Sequence, residues 1–243
     1  ETARTTLFEA RSERPRPGLD DKVLTDWNGL MVAALAQAAR VFDEPEYESA
    51  ARETAQFLLE TMHGTDGRLL HRYRAGEVGI RATLDDYAFL IWGLLELYET
   101  TFEPRWLRAT LDHMDACLNH FWDADGGGFY MTPSDGEDLI VRPKEASDGA
   151  MPSGNSVQLM NLLRLARFTG RTEFEERAAE LSQWAGSSAR SRPTGFTALL
   201  MGLHWALGTP REVVVAGERE ADDTQALIDV LRDTYSPTTV TLH

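Results

Sequence analysis

Asp85-Asp86-Tyr87-Ala88-Phe89-Leu90-Ile91-Trp92-Gly93-Leu94-Leu95-Glu96-Leu97-Tyr98 is the stretch that decides the fold. Two carboxylates open it, and almost everything after them is apolar. That pattern predicts a helix buried on most sides, which needs a second layer around it. The chain supplies one. Phe102-Glu103-Pro104 breaks the run. The next segment, 106–121, is amphipathic through Trp106, Leu107, Leu111, Met114 and Leu118. A buried helix followed by its amphipathic shield is a helical hairpin.

The same order occurs on either side. Upstream, Asp26-Trp27-Asn28-Gly29 opens a predicted helix over 27–42, with Trp27, Met31, Ala34, Leu35, Ala38 and Val41 at helical spacing. Asp43-Glu44-Pro45 ends it, and 47–62 follows with Tyr47, Ala51, Thr54, Leu58 and Thr61 on one face. Downstream, Ser153-Gly154-Asn155-Ser156 opens 153–168, Thr169-Gly170 breaks it, and 174–184 resumes. The aromatics that begin the second helices, Tyr47, Trp106 and Phe174, lie 59 and 68 residues apart. That period exceeds the common short solenoid modules. The extra length holds predicted β-hairpins, one over 69–77 and one entered through Asp125-Gly126-Gly127-Gly128-Phe129-Tyr130 with a turn at Asp135-Gly136.

A fourth apolar helix, 196–207, has no amphipathic partner. After it, 212–217 reads as a buried strand, 222–232 as a helix and 238–242 as a last strand. The expected fold is mainly α: a partial α/α toroid over 1–210, with inserted β-hairpins and a small β-α-β appendage over 211–243. A complete six-hairpin toroid needs roughly 350 residues at about 60 per unit, more than the 243 present. The absence of an initiating Met and the helix-like segment 4–11 suggest a piece of a longer protein.

Composition narrows the function classes. A net charge of −15 repels phosphate backbones, so nucleic acid is not an expected partner. The single cysteine, Cys117, excludes an intrachain disulfide and a multi-cysteine zinc site, and its apolar helical setting suggests a core residue. No apolar run spans a bilayer and no signal peptide is visible, so no membrane partner and a cytoplasmic location are expected.

Chemistry-bearing residues concentrate at the three openers. Asp85 and Asp86 are the candidate acid–base residues: one is accounted for as a helix cap, and the second is surplus to capping. Asp26, Trp27 and Asn28 read either as a cap with a core aromatic or as a sugar site, in which an aromatic face stacks on the ring and polar groups hold hydroxyls. Asp148 and Asn155 exceed what the Ser153 opener needs. Ser153 itself lacks the G-x-S-x-G context of a serine hydrolase. His71 is the one histidine placed to act as a base. Its neighbours Arg72 and Arg74, with Arg142 and Lys144 on the second insertion, are either a solvated face or an anion clamp. No histidine spacing suggests a metal, and no cofactor is expected.

The segments 20–31, 84–90, 127–130 and 148–156 resemble, in order and over nearly the whole chain, the YyaL / spermatogenesis-associated protein 20 family. That resemblance implies an α/α toroid like those of N-acylglucosamine 2-epimerases and six-hairpin glycosidases. It also implies a thioredoxin-like domain with a Cys-x-x-Cys motif that lies outside this chain, so no redox activity falls on these residues. Two functions follow as expectations. One is epimerase-like or glycoside-hydrolase-like chemistry on a sugar at the toroid mouth, with Asp85 or Asp86 as acid or base, Asp26, Asn28 and Asn155 holding hydroxyls, and Trp27 and Tyr87 stacking. The other is a non-catalytic binding or scaffold domain serving the thioredoxin-like domain.

Overall fold

The computed structural model describes residues 1–243. Four helices form an inner layer: α2 (Thr25–Phe42), α4 (Leu84–Thr101), α6 (Gly154–Thr169) and α8 (Thr197–Leu207). Three shield them: α3 (Pro45–Thr61), α5 (Pro104–Phe121) and α7 (Thr172–Ser191). Each inner helix packs on the next, and α2, α4 and α6 each pack on their own outer partner. A first helix, α1 (Thr2–Ser12), buries nothing. No helix is long and apolar enough to cross a membrane.

Helix ends follow from local chemistry. The α2 and α4 helices end on left-handed residues, Asp43 and Phe102, and a proline begins each partner helix; α6 ends on left-handed Gly170. A left-handed cap satisfies the last carbonyls, and proline suits the first helical position because it lacks the N–H that would go unpaired there.

The buried stripe of α2 is not the one its large apolar residues suggest. Val32, Ala33, Ala36 and Ala39 are buried, whereas Trp27, Met31 and Val41 are more than half exposed. Small residues win because α2 and α4 cross at backbone contact. A Cβ on Gly29 would lie 2.6 Å from the Leu90 nitrogen, and one on Gly93 2.7 Å from the Gly29 carbonyl oxygen.

Strands β1 (Val23–Leu24), β2 (Leu70–Arg74) and β3 (Glu77–Arg81) form an antiparallel sheet in the order β1-β2-β3. Leu24 pairs with Arg72, and the Thr25 hydroxyl donates to the Leu70 carbonyl at 2.6 Å. The sheet thereby ties the first hairpin to the start of α2. The second expected hairpin does not form. Residues 122–153 carry only an isolated bridge, Trp122 to Phe129, and are otherwise held by scattered backbone hydrogen bonds, such as Met131 N–H to the Pro143 carbonyl, and by side chains.

After α8, β4 (Arg211–Val214), α9 (Asp222–Arg232) and β5 (Thr239–Leu242) make a β-α-β unit with parallel strands. β4 is mostly exposed rather than buried. β5 carries the contact inward: Val240 joins the main core, and the Thr241 N–H donates to Glu99 at 3.0 Å.

The ends of the inner helices differ sharply. Far from the openers, Arg164 of α6 binds Glu96 at 2.7 Å and Glu99 at 2.6 Å. Arg40 of α2 closes on the same two carboxylates. Arg164, Glu96 and Glu99 are nearly buried, so this is an internal ionic network locking three inner helices.

Candidate functional site

All three openers meet at the other end. The Asp86 carboxylate belongs to a capping box with Thr83: its Oδ2 accepts from the Thr83 N–H at 2.8 Å. Its Oδ1 accepts from the Asp26 N–H at 3.1 Å, so Asp86 also caps the first turn of α2. That oxygen lies 2.8 Å from His71 Nδ1. Asp86 is fully buried. One side chain thus orients an imidazole and holds two helix starts together.

Asp85 is the surplus carboxylate. It points at the start of α6, where a Cβ on Gly154 would lie 2.5 Å from its Oδ1. That oxygen is buried without a well-aligned hydrogen bond, and the Gly154 N–H beside the carboxyl partly opposes the effect of burial. Burial, with Asp86, Asp26 and Glu145 nearby, pushes Asp85 up to about 6. Burial also raises Asp26, and the charge of Asp86 adds to it. His71 moves up because its bond to Asp86 stabilises the imidazolium. At neutral pH Asp85 is mostly ionised, and the contact with Asp86 favours the imidazolium form of His71, which sets a base and an acid in one mouth.

One donor atom each from Asp26, His71 and Asp86 lies within 4.8 Å of the other two. Those residue types suit a metal. Here, however, both Asp86 oxygens already accept bonds from Thr83, Asp26 and His71, and a hydrogen-bonded dyad accounts for the arrangement.

The other expected site residues divide. Trp27 is 59% exposed at the rim beside Asp26, free to present its ring. Asn28 is half-buried, and its amide donates to the Leu24 carbonyl at 2.8 Å. Tyr87 is in the core against Phe121 and His113, so it offers no face to a ligand. Asn155 is wholly buried and pins the irregular segment, accepting from the Phe129 N–H and donating to the Phe129 and Glu145 carbonyls. Asp148 accepts from the Ser153 and Ala198 N–H groups, joining the starts of α6 and α8. Asn155 is wholly committed and out of reach, and each Asp148 oxygen already holds a helix start. The suggested clamp is structural too: Lys144 binds Asp123 and the Gly127 carbonyl, and Arg142 binds the Thr132 and His120 carbonyls. Cys117 is buried in the core, as its setting suggested. Sequence reasoning missed Thr83, although Thr83-Leu84-Asp85-Asp86 carries capping-box spacing. It also missed Glu145, for which no local signal exists.

Human spermatogenesis-associated protein 20 is 36% identical over 244 residues, covering 96% of this chain and 31% of that protein. The chain belongs to the spermatogenesis-associated protein 20 family. An uncharacterized protein of Caenorhabditis elegans is 33% identical over 88% of the chain. The chain spans about a third of the length of these relatives. No family model matches it. Among solved structures, three similar ones fix the fold of this family member as an α/α toroid. A family 76 α-mannanase from Bacteroides thetaiotaomicron has TM-score 0.57 at 16% identity, covering 71% of this chain and 47% of that one. Cellobiose 2-epimerase from Spirochaeta thermophila has TM-score 0.55 at 16% identity, with 68% and 43% covered. An unsaturated glucuronyl hydrolase specific for heparin has TM-score 0.56 at 16% identity, with 70% and 48% covered.

Asp85 gives a stability prediction of definite sign. Its folded value is raised, so the folded state holds its proton longer than the unfolded chain. The associated stability is present at low pH and is lost as pH rises from 3.8 through about 6. Asp85→Asn removes the buried charge. It should stabilise the protein by about 2 kcal/mol at pH 7, after allowing for screening at a partly exposed site, and leave it nearly unchanged at pH 4. Urea unfolding of both proteins at the two pH values checks this; equal midpoints at pH 7 would remove Asp85 from the list of strained groups.

Proposed function

We propose that the mouth is a sugar site carrying epimerase- or isomerase-like proton transfer. Asp85 is the base, His71 the acid, and Asp86 positions His71 through its Nδ1. The observation that carries this reading is the 2.8 Å His71–Asp86 contact set beside a carboxyl raised to about 6. In an open-chain aldose the C2–H bond breaks and its proton passes to Asp85. The electron pair forms a C1–C2 double bond, and the carbonyl oxygen takes a proton from His71 Nε2. Asp85 then returns the proton to C1 on the same face while the O2 hydroxyl passes its proton to His71, which gives the ketose. If the enediol first turns its opposite face to Asp85, the proton goes back to C2 while the O1 hydroxyl passes its proton to His71, which gives the epimer. Trp27 is the aromatic left to stack on the sugar, and Asp26 and Asn28 border it. The epimerase among the structural neighbours makes this chemistry compatible with the fold, although fold alone does not carry function.

A second reading, binding without turnover in support of a thioredoxin-like domain, draws on Asn155 and Asp148, whose polar groups are spent on structure. Incubating the full-length protein with a panel of aldoses and following anomeric protons by NMR separates the two. New epimer or ketose signals are expected. Saturable binding with no product would favour the second reading, and neither binding nor product would overturn both.

A further inference from the structure

A second concavity lies at the mouth end of the fold, outside the Asp85–His71 pair. The inner helices start at that end, so the outer helix α7 returns to it. Between the last turns of α7 and the irregular segment before α6 is a cavity of about 530 Å³, within the size range of small-molecule sites. Lys144, Glu145 and Ser147 line it from the segment, and Trp184, Ser188 and Arg192 from α7 and its cap. Its walls are tied together. The Asp148 N–H donates to the Gly195 carbonyl at 2.7 Å, joining the segment to the turn after α7. Trp184 is held by Gly128, where a Cβ would lie 2.6 Å from its ring, and by Lys144 Nζ at 4.8 Å from the ring centroid.

The three charged residues differ in what they already hold. Lys144 is spent on Asp123 at 2.5 Å and on the Gly127 carbonyl at 2.8 Å. Glu145 accepts from the Ser147 hydroxyl and has no basic partner. Arg192 commits only its backbone N–H, to the Ser188 carbonyl, and its guanidinium has no ion pair. In a chain of 39 acidic and 24 basic residues, that guanidinium is free for an incoming anion.

We propose that this cavity binds a sugar carrying a single carboxylate, a hexuronate. The Arg192 guanidinium takes the carboxylate through paired N–H donors, a geometry its planar fork matches. The Ser188 hydroxyl and the open Glu145 oxygen take ring hydroxyls, and Trp184 supplies aromatic surface. One guanidinium also sets the charge of the ligand. A phosphate ester carries nearly two negative charges near neutral pH, and Glu145 shares the cavity. A second charge on the ligand would meet that carboxylate with no further free cation to offset it. The inference rests on the sugar reading above and deepens it by giving the sugar an acidic group and a place to hold it.

The test is calorimetric titration of the full-length protein with glucuronate, glucose and glucose 6-phosphate. Glucuronate should bind at least about tenfold more tightly than glucose, the gain of one charge-assisted pair, and more tightly than glucose 6-phosphate. Arg192→Gln should abolish the preference and leave glucose affinity unchanged, whereas Arg192→Lys should keep part of it. Arg192 is exposed, so both variants should melt with the parent protein. Glucuronate binding no tighter than glucose, or a preference that survives Arg192→Gln, would overturn the inference and leave the sugar site intact. Tighter binding of glucose 6-phosphate than of glucuronate would overturn the choice of a single carboxylate. If none of the three binds, this inference fails, and the aldose panel alone then decides the sugar reading.

Discussion

On the proposed mechanism, His71→Gln should lower turnover by about 10²–10⁴-fold, the range a positioned general acid contributes, while sugar affinity should change little. Gln keeps an N–H for Asp86 but cannot release a proton. The loss therefore belongs to the chemical step, with kcat falling and KM holding. His71 is about a quarter exposed, so the fold should tolerate the change. The pH profile supplies a readout that a structural role would not move. If the proposed proton transfer holds, activity in the unsubstituted protein should rise as Asp85 ionises near pH 6 and fall again on the alkaline side as His71, raised by Asp86, loses its proton. In His71→Gln the alkaline limb should vanish and the acid limb remain. Asp86→Asn is a poorer test of chemistry, because Asp86 also caps α2 and α4.

Arg164→Ala carries the largest expected loss of stability, about 3–5 kcal/mol, because it leaves Glu96 and Glu99 buried without their principal partner. Arg164 and Arg40 together hold Glu96 well below the ordinary carboxylate range, against the opposing effect of burial. Stability from Glu96 is therefore complete above the ordinary glutamate value and is lost as pH falls toward its folded value. The variant should unfold at markedly lower urea at pH 7, and the difference should shrink in acid. A midpoint within experimental error of the parent would show that Arg40 alone suffices. Because Glu99 also receives the Thr241 N–H, β5 should loosen in the same variant, visible as faster amide exchange at Thr241.

The hairpin order was legible because α4 is apolar nearly all round and its outer partner is not, and because the same order of opener, run and breaker recurs at α2 and α6. The face of α2 was not legible. Trp27, Met31 and Val41 form a convincing stripe, yet the α2–α4 crossing is so close that glycine and alanine occupy it. The division of labour between Asp85 and Asp86 was likewise hidden. Thr83 decides it by making Asp86 the third residue of its capping box, which leaves Asp85 surplus. His71 and Asp86 are fifteen residues apart, and only the pairing of β1 with β2 sets the imidazole beside the α4 start. Tyr87, Asn155 and Asp148 read as site residues because polar and aromatic groups at helix starts serve ligands and structure alike. Their surroundings show what each now does: Tyr87 is in the core, Asn155 bonds backbone groups of a segment that has no regular structure to satisfy them, and Asp148 bonds the starts of α6 and α8.

The central claim is that Asp85 and His71 exchange protons with a bound sugar, and solvent deuterium tests it most directly. Full-length protein is incubated in D₂O with the sugar it binds best, and C2 is followed by NMR. The account predicts deuterium entering C2 with the parent protein, and at least about 100-fold slower entry with His71→Gln and Asp85→Asn. A bound sugar whose C2 proton is never exchanged by the parent protein, or exchange that survives both substitutions, would contradict it.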